Sequence, residues 1–126
     1  MSQPKPAVGS IGWIDLTVPD AEGIRDFYSD VVGWTPEALD MGGYSDFVMK
    51  GADGGPVTGI CHARGSNAYL PPQWLVYFVV ADLDASLAKC EERGGQRIGE
   101  VRRMGPEARY CVVRDPVGAV CVLFQA

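Results

Sequence analysis

Two side chains of this 126-residue chain could do acid–base chemistry in apolar surroundings, Asp15 and His62. Asp15 stands in the string WIDLT, from Trp13 to Thr17, whose neighbours favour an extended, half-buried strand. A carboxylate there needs a partner or a raised pKa, because burying an unpaired charge is costly. It therefore has two readings: a general base or ligand anchor, or a structural hydrogen-bonder to a neighbouring strand. His62 is the only histidine, and imidazole ordinarily titrates near neutrality. Its readings are an acid–base group or lone metal ligand, and a satisfied residue at the rim of its strand. Cys61 precedes it, but adjacent strand residues point to opposite faces, so the two form no nucleophile–base pair.

The remaining chemistry-bearing types narrow the classes further. Cys61, Cys90, Cys111 and Cys121 have no CxxC spacing. They are read as free, mostly buried thiols of a reducing compartment rather than as zinc ligands or disulfides. The net charge of −5 argues against nucleic acid, whose phosphates need a basic face. Arg102 and Arg103 are an isolated pair, and Lys89, Glu91, Glu92 and Arg93 make a solvated helix face. No apolar run reaches the length of a membrane span, and the opening MSQPKPAVGS lacks a basic and an apolar region. A cytoplasmic protein without membrane contact is the expectation. A hydrophobic content of 47% over this length suits one domain with a real core.

The elements that must position Asp15 lie around it. Trp13 to Val18 predicts a strand; Pro19 ends it, and Asp20 is placed to cap a helix. Ile24, Phe27, Tyr28 and Val31 fall on one helical stripe, and Gly33 stands at the stop. The same order returns in residues 75–95: a strand, Asp82 as cap, Leu83, Leu87 and Cys90 on a stripe, then Gly94 and Gly95. Asp20 and Asp82, Val18 and Val80, and Gly33 and Gly95 are each 62 positions apart, the mark of an internal repeat. Farther on the offset is 64, from Lys50 to Arg114 and from Gly54 to Gly118.

Around these landmarks the chain predicts short strands. Residues 1–10 are expected to be a frayed arm. Thr35 to Asp40, Tyr44 to Lys50 and Val57 to His62 follow the first helix, joined by glycine-rich corners. Residues 63–72 form the one long irregular stretch. Gln73 to Val80, Arg97 to Val101, Ala108 to Val113 and Ala119 to Gln125 complete the set, with a type I turn over Asp115-Pro116-Val117-Gly118. Each module is β-α-β-β-β. Residues 74–80 and 119–124 are apolar at nearly every position, which predicts cover on both faces.

Paired modules of this order, the FY-x4-GW string (Phe27, Tyr28, Gly33, Trp34) and the DPxG turn (Asp115, Pro116, Gly118) resemble the vicinal oxygen chelate superfamily. That group holds glyoxalase I, the bleomycin-resistance proteins and the extradiol dioxygenases. The string at Trp13, Asp15 and Leu16, with Pro72, Trp74, Tyr77, Val80 and Asp82, is similar to a glyoxalase-like bacterial branch. The resemblance implies an α+β fold of two βαβββ modules forming an open, U-shaped barrel with helices outside. The modules span about 11–63 and 73–125 of a single domain, with a linker at 64–72. It also implies a central pocket where metal-dependent relatives hold a divalent ion as a Lewis acid.

Carried over residue by residue, the ligand positions of those relatives fall on Trp13, Leu75, Val122 and either Thr58 or Gly59. None but a weak Thr58 hydroxyl suits a tight divalent site, so no metal and no cofactor is expected. Strand alternation then puts Trp13, Asp15 and Thr17 on the inner wall, with Leu75, Tyr77 and Val79, and with Val120, Val122 and Phe124. If Thr58 is inward, Ile60 and His62 join them. The mainly apolar and aromatic wall suits a small apolar or aromatic molecule, with Trp13, Thr17, Leu75, Tyr77, Val122 and Phe124 as binding residues.

The first functional expectation is thus a metal-independent small-molecule-binding protein. The second is a lyase or isomerase using Asp15 and His62 as acid and base, with or without a non-standard metal site. The third is a dimeric interaction module without a ligand. A homodimer is expected in any case.

Overall fold

The computed structural model describes residues 5–126 and is a mixed α+β fold, with nine strands and two helices among the described residues. The described chain divides into two compact units, residues 14–74 and residues 75–126 with the segment that ends at Trp13.

In the unit Ile14–Trp74 the strands β1 (Ile11–Val18), β2 (Thr35–Asp40), β3 (Ser45–Lys50) and β4 (Pro56–His62) run in the order β2-β3-β4-β1. β2, β3 and β4 pair antiparallel, whereas β4 and β1 are parallel. A parallel neighbour needs a crossover, and the helix α1 (Ala21–Val32) begins it. The Asp20 carboxylate accepts the Gly23 N–H at 3.0 Å, satisfying one of the donors a helix start leaves open. At the other end Gly33 adopts φ 87° and donates its N–H to the Ser29 carbonyl. Few other residues take that left-handed conformation without strain.

α1 covers one face of this sheet. Leu16, Val18, Phe47, Met49 and Ile60 are buried there with Ala21, and Ile24, Tyr28, Trp34 and Trp74 close over them. The expected helical stripe is only half used. Phe27 and Val31 are 52% and 64% exposed, because Tyr28 holds the inward place. Its ring stacks on Trp34 at 5.8 Å and meets the edge of Trp74 at 5.2 Å. The Trp74 Nε1–H also donates to the Tyr28 hydroxyl at 3.3 Å.

In the other unit β5 (Trp74–Val79), β6 (Gln96–Arg97), β7 (Arg102–Met104), β8 (Ala108–Arg114) and β9 (Val120–Gln125) take the order β5-β9-β8-β6, with β7 also on β8. The helix α2 (Leu83–Glu92) starts under Asp82, which accepts the Ala85 N–H at 3.1 Å. The Gln125 side chain accepts the Leu83 N–H at 2.7 Å, tying the helix start to the last strand. Leu83, Leu87, Cys111 and Val113 form the buried core under α2, joined by Val80, Cys90, Val101, Cys121 and Leu123.

Three local expectations need correction. The strand expected over Arg97 to Val101 is two short strands, β6 and β7. Between them the chain leaves the ladder, keeping the Ile98 N–H to Val112 carbonyl bond while the Gly99 carbonyl accepts the Cys111 thiol. Residues 1–4 of the expected frayed arm lie outside the described residues, but its end is tied down. The Gly9 N–H donates to the Val79 carbonyl at 2.8 Å and the Val79 N–H to the Ser10 carbonyl at 2.9 Å. Cover on both faces of β5 is incomplete, since Leu75, Tyr77 and Val79 are buried while Phe78 is exposed. Phe78 pairs with Leu123 on the helix side and stays 39% exposed there. No helix among the described residues is long and apolar enough to cross a membrane.

Candidate functional site

The register between β1 and β4 decides which side chains of the unit Ile14–Trp74 can act together. Asp15 pairs with Gly59, Leu16 with Ile60, Thr17 with Cys61 and Val18 with His62. Paired residues share a face, so Leu16, Val18, Ile60 and His62 face α1, and Thr58 goes with Ile60 by alternation. Asp15, Thr17, Gly59 and Cys61 occupy the helix-averted face. The conditional expectation that Thr58, Ile60 and His62 line an inner wall does not hold. Thr58 pairs with the buried Met49, and its hydroxyl donates to the Ile14 carbonyl.

His62 instead closes one end of the helix-covered core. The Asp46 carboxylate accepts its backbone N–H at 2.9 Å and lies 3.3 Å from its Nδ1. Nε2 faces Glu22 of the first turn of α1 at 3.7 Å. Tyr44 meets the ring edge-on at 5.5 Å, and the Arg64 guanidinium lies 3.9 Å from the centre of Tyr44. The position of Asp46 explains this geometry. The antiparallel ladder of β3 with β4 begins at Phe47 and Ile60, so the N–H two residues past Ile60 takes its acceptor from a side chain. A histidine with one ring nitrogen oriented by a carboxylate has the arrangement of a base. This one points at an exposed glutamate across a strand end, so it ties β3, β4 and α1 together. Asp46, only 7% exposed, escaped the sequence reading. Its signal was a lone acidic residue at the head of an apolar strand.

On the helix-averted face Thr17 is buried and Asp15 is half-buried. The Cys61 thiol lies beside them and is pushed well above its ordinary pKa. Burial is the main cause, followed by the charges of Asp15 and Asp46 and a hydrogen bond to Asp46. A thiol held neutral is a poor nucleophile. The four cysteines are free, but only Cys111 is fully buried, the others being half-buried.

In the unit that holds residues 75–126 the register places Tyr77 beside Val122, Val79 and Tyr110 beside Phe124, and Val112 beside Val122. These side chains share the face turned away from α2, with Leu75 on the same parity. The Tyr77 ring stands 6.2 Å from Tyr110 and 6.4 Å from Phe124. Tyr77 is buried, whereas Tyr110 and Phe124 keep part of their rings open. Trp13, at the end of this unit's share of β1, is half-buried.

A divalent ion does not fit the positions at which metal-dependent relatives would hold one. Leu75 and Val122 are hydrocarbons, each 1% exposed; Thr58 is committed to Ile14, and Gly59 has no side chain. Among the described residues no three His, Cys, Asp or Glu side chains are grouped to hold a metal.

The family model described as Glyoxalase/Bleomycin resistance protein/Dioxygenase superfamily matches residues 10–123. CFP32 of Mycobacterium tuberculosis, which is named as a glyoxylase, is 31% identical over 94% of this chain and 46% of its own length. The anthracycline biosynthesis protein DnrV of Streptomyces peucetius is 28% identical over 94% of this chain and 48% of its own. The chain thus spans about half the length of these curated relatives. Among solved structures, a Streptomyces coelicolor methylmalonyl-CoA epimerase in complex with 2-nitronate-propionyl-CoA aligns with a TM-score of 0.54. The identity is 20%, over 95% of this chain and 99% of that one. A Mn(II)-bound glyoxalase from Novosphingobium aromaticivorans aligns with a TM-score of 0.58 at 19% identity, over 94% of this chain and 39% of that one. At such identities the likeness shows the fold alone.

Proposed function

Because the chain belongs to the Glyoxalase/Bleomycin resistance protein/Dioxygenase superfamily, we propose that it binds a small apolar or aromatic molecule without a metal. The ligand lies on the helix-averted face of the unit that holds residues 75–126. The observation that carries this reading is the cluster of Tyr77, Tyr110 and Phe124 on that face, with two of its three rings partly open. Aromatic rings set at a tilt to one another present both π faces and edges to a planar ligand. Leu75 and Val122 supply an apolar floor in the place of metal ligands. The acid–base reading of Asp15 with His62 has no such support, since the two belong to opposite faces of their sheet.

Two relatives are named for anthracycline biosynthesis, so fused-ring aromatics are the first compounds to screen by thermal shift. A compound at a hundred times its Kd stabilises the folded state by about 2.7 kcal/mol, a readily measured shift in Tm. A broad aromatic panel that leaves Tm unmoved counts against the reading. Elemental analysis of protein purified without chelator tests the rest: a stoichiometric divalent ion overturns metal independence.

A further inference from the structure

On the helix-covered side of the same unit, away from the aromatic face, a cavity of about 430 Å³ opens between α2 and strands β8 and β9. Its floor is hydrocarbon and sulfur: Val80, Val113 and Leu123, with the thiols of Cys90 and Cys121. At its edge Gly95 lets the chain pack closely against α2, because a Cβ there would come within 2.6 Å of the Cys90 sulfur and 3.0 Å of the Arg114 carbonyl. The mouth is cationic. Lys89 in the last turn of α2 and Arg93 at its end both line it. Lys89 has only the distant, exposed Glu92 at 3.8 Å, and Arg93 makes no ion pair among the described residues. The one carboxylate at the rim, Asp115, is occupied as a turn cap, accepting the Val117 and Ala119 N–H groups at 2.9 Å each.

We propose that this cavity binds a small amphipathic anion, a carboxylate whose apolar body lies against Val80, Val113 and Leu123 while its head meets Arg93 and Lys89. The volume suits a body of about ten carbons, at the small end of the range for ligand cavities. Cations at a helix C-terminus also complement the helix dipole, so their presence alone is no argument for a ligand. Their position over an apolar hollow is, and the charge of the ligand must therefore be tested separately from its body. The proposal is independent of any ligand on the aromatic face.

The experiment titrates the whole chain with decanoate, decan-1-ol and decyltrimethylammonium by calorimetry, and follows the labelling of Cys90 and Cys121 by N-ethylmaleimide. Decanoate is expected to bind and to slow labelling of both thiols. The alcohol should bind about two- to fivefold more weakly, the share expected from a partly exposed charge pair, and the cation more weakly still. Ala85→Leu fills the cavity from an exposed helix position and should remove binding with the circular dichroism unchanged. Arg93→Gln, a surface change, should bring decanoate down to the affinity of the alcohol. Decanoate that fails to bind, that binds no better than the alcohol, or that binds undiminished to the folded Ala85→Leu variant overturns the proposal. The last result would place the molecule elsewhere without touching the reading of the aromatic face.

Discussion

Asp15 and His62 point to opposite faces of the β1/β4 pair, Asp15 in register with Gly59 and His62 with Val18. A shift of one residue in register would have put both on one face. The observed register puts His62 beside Glu22 of α1, with Asp46 reaching it at the strand end, and leaves Asp15 with Thr17 and Cys61 on the other face.

That separation has a measurable form. In urea unfolding, Asp46→Asn and His62→Gln should couple in a double-mutant cycle by roughly 0.5–1.5 kcal/mol, because they share a hydrogen-bonded contact. Asp15→Asn combined with His62→Gln should add to within about 0.5 kcal/mol. A large coupling in the second cycle would mean that the two groups share a site after all.

The cysteines set an alkaline limit on stability. Burial raises the thiols of Cys61, Cys111 and Cys121, with nearby carboxylates adding to the first and last. A group whose folded pKa is raised contributes stability that is present in full below its unfolded value. That contribution falls as pH rises from about 8.5 toward the folded value. In that window the unfolded chain has released protons that the folded chain keeps, so stability decreases by up to about 1.4 kcal/mol per pH unit for each such thiol. Urea midpoints measured from pH 7 to pH 10.5 should fall less steeply for Cys61→Ala than for the parent. Parallel curves would show that Cys61 titrates normally.

Much of this fold was legible because its landmarks are local. Asp20, Gly33 and Asp82 act through backbone groups within a few residues, and each does what its position announces. The alternation of Leu75, Tyr77, Val79, Val122 and Phe124 is likewise a local rule. The site was less legible because faces of different strands are matched only by register, and register between β1 and β4 is set by a crossover of nearly forty residues. Nothing near His62 in sequence reveals that Asp46 will take its N–H, nor that Val18 rather than Thr17 will stand beside it.

The caps of α1 give a paired test of those local signals. Asp20→Ala removes the acceptor for the Gly23 N–H and should cost about 1 kcal/mol. Gly33→Ala forces a Cβ into the φ 87° conformation, with nothing within 4 Å of the added atom. It should cost about 1–2 kcal/mol from backbone strain alone. Thermal unfolding of the two single variants and the double variant should give nearly additive losses, the two ends being a full helix apart. A neutral Gly33→Ala would mean that the chain leaves α1 by another path.

The exposure of Phe27 separates two descriptions of α1. If the whole apolar stripe were core, Phe27→Ala would cost about 3–5 kcal/mol, as for other buried aromatics. Phe27 is instead half exposed, with Tyr28 edge-on at 5.0 Å as its ring contact. The loss should then stay below about 1.5 kcal/mol, the worth of a partly buried ring and one edge contact. Ile60, fully buried beneath the same helix, provides the internal standard. Ile60→Ala should cost about 2–5 kcal/mol, because the surrounding Leu16, Val18, Phe47 and Met49 belong to strands that cannot collapse into the space. Urea titrations of the two variants under one set of conditions should therefore differ in midpoint, with Ile60→Ala much the lower. Equal losses would place Phe27 in the core and require α1 to be rotated about its axis.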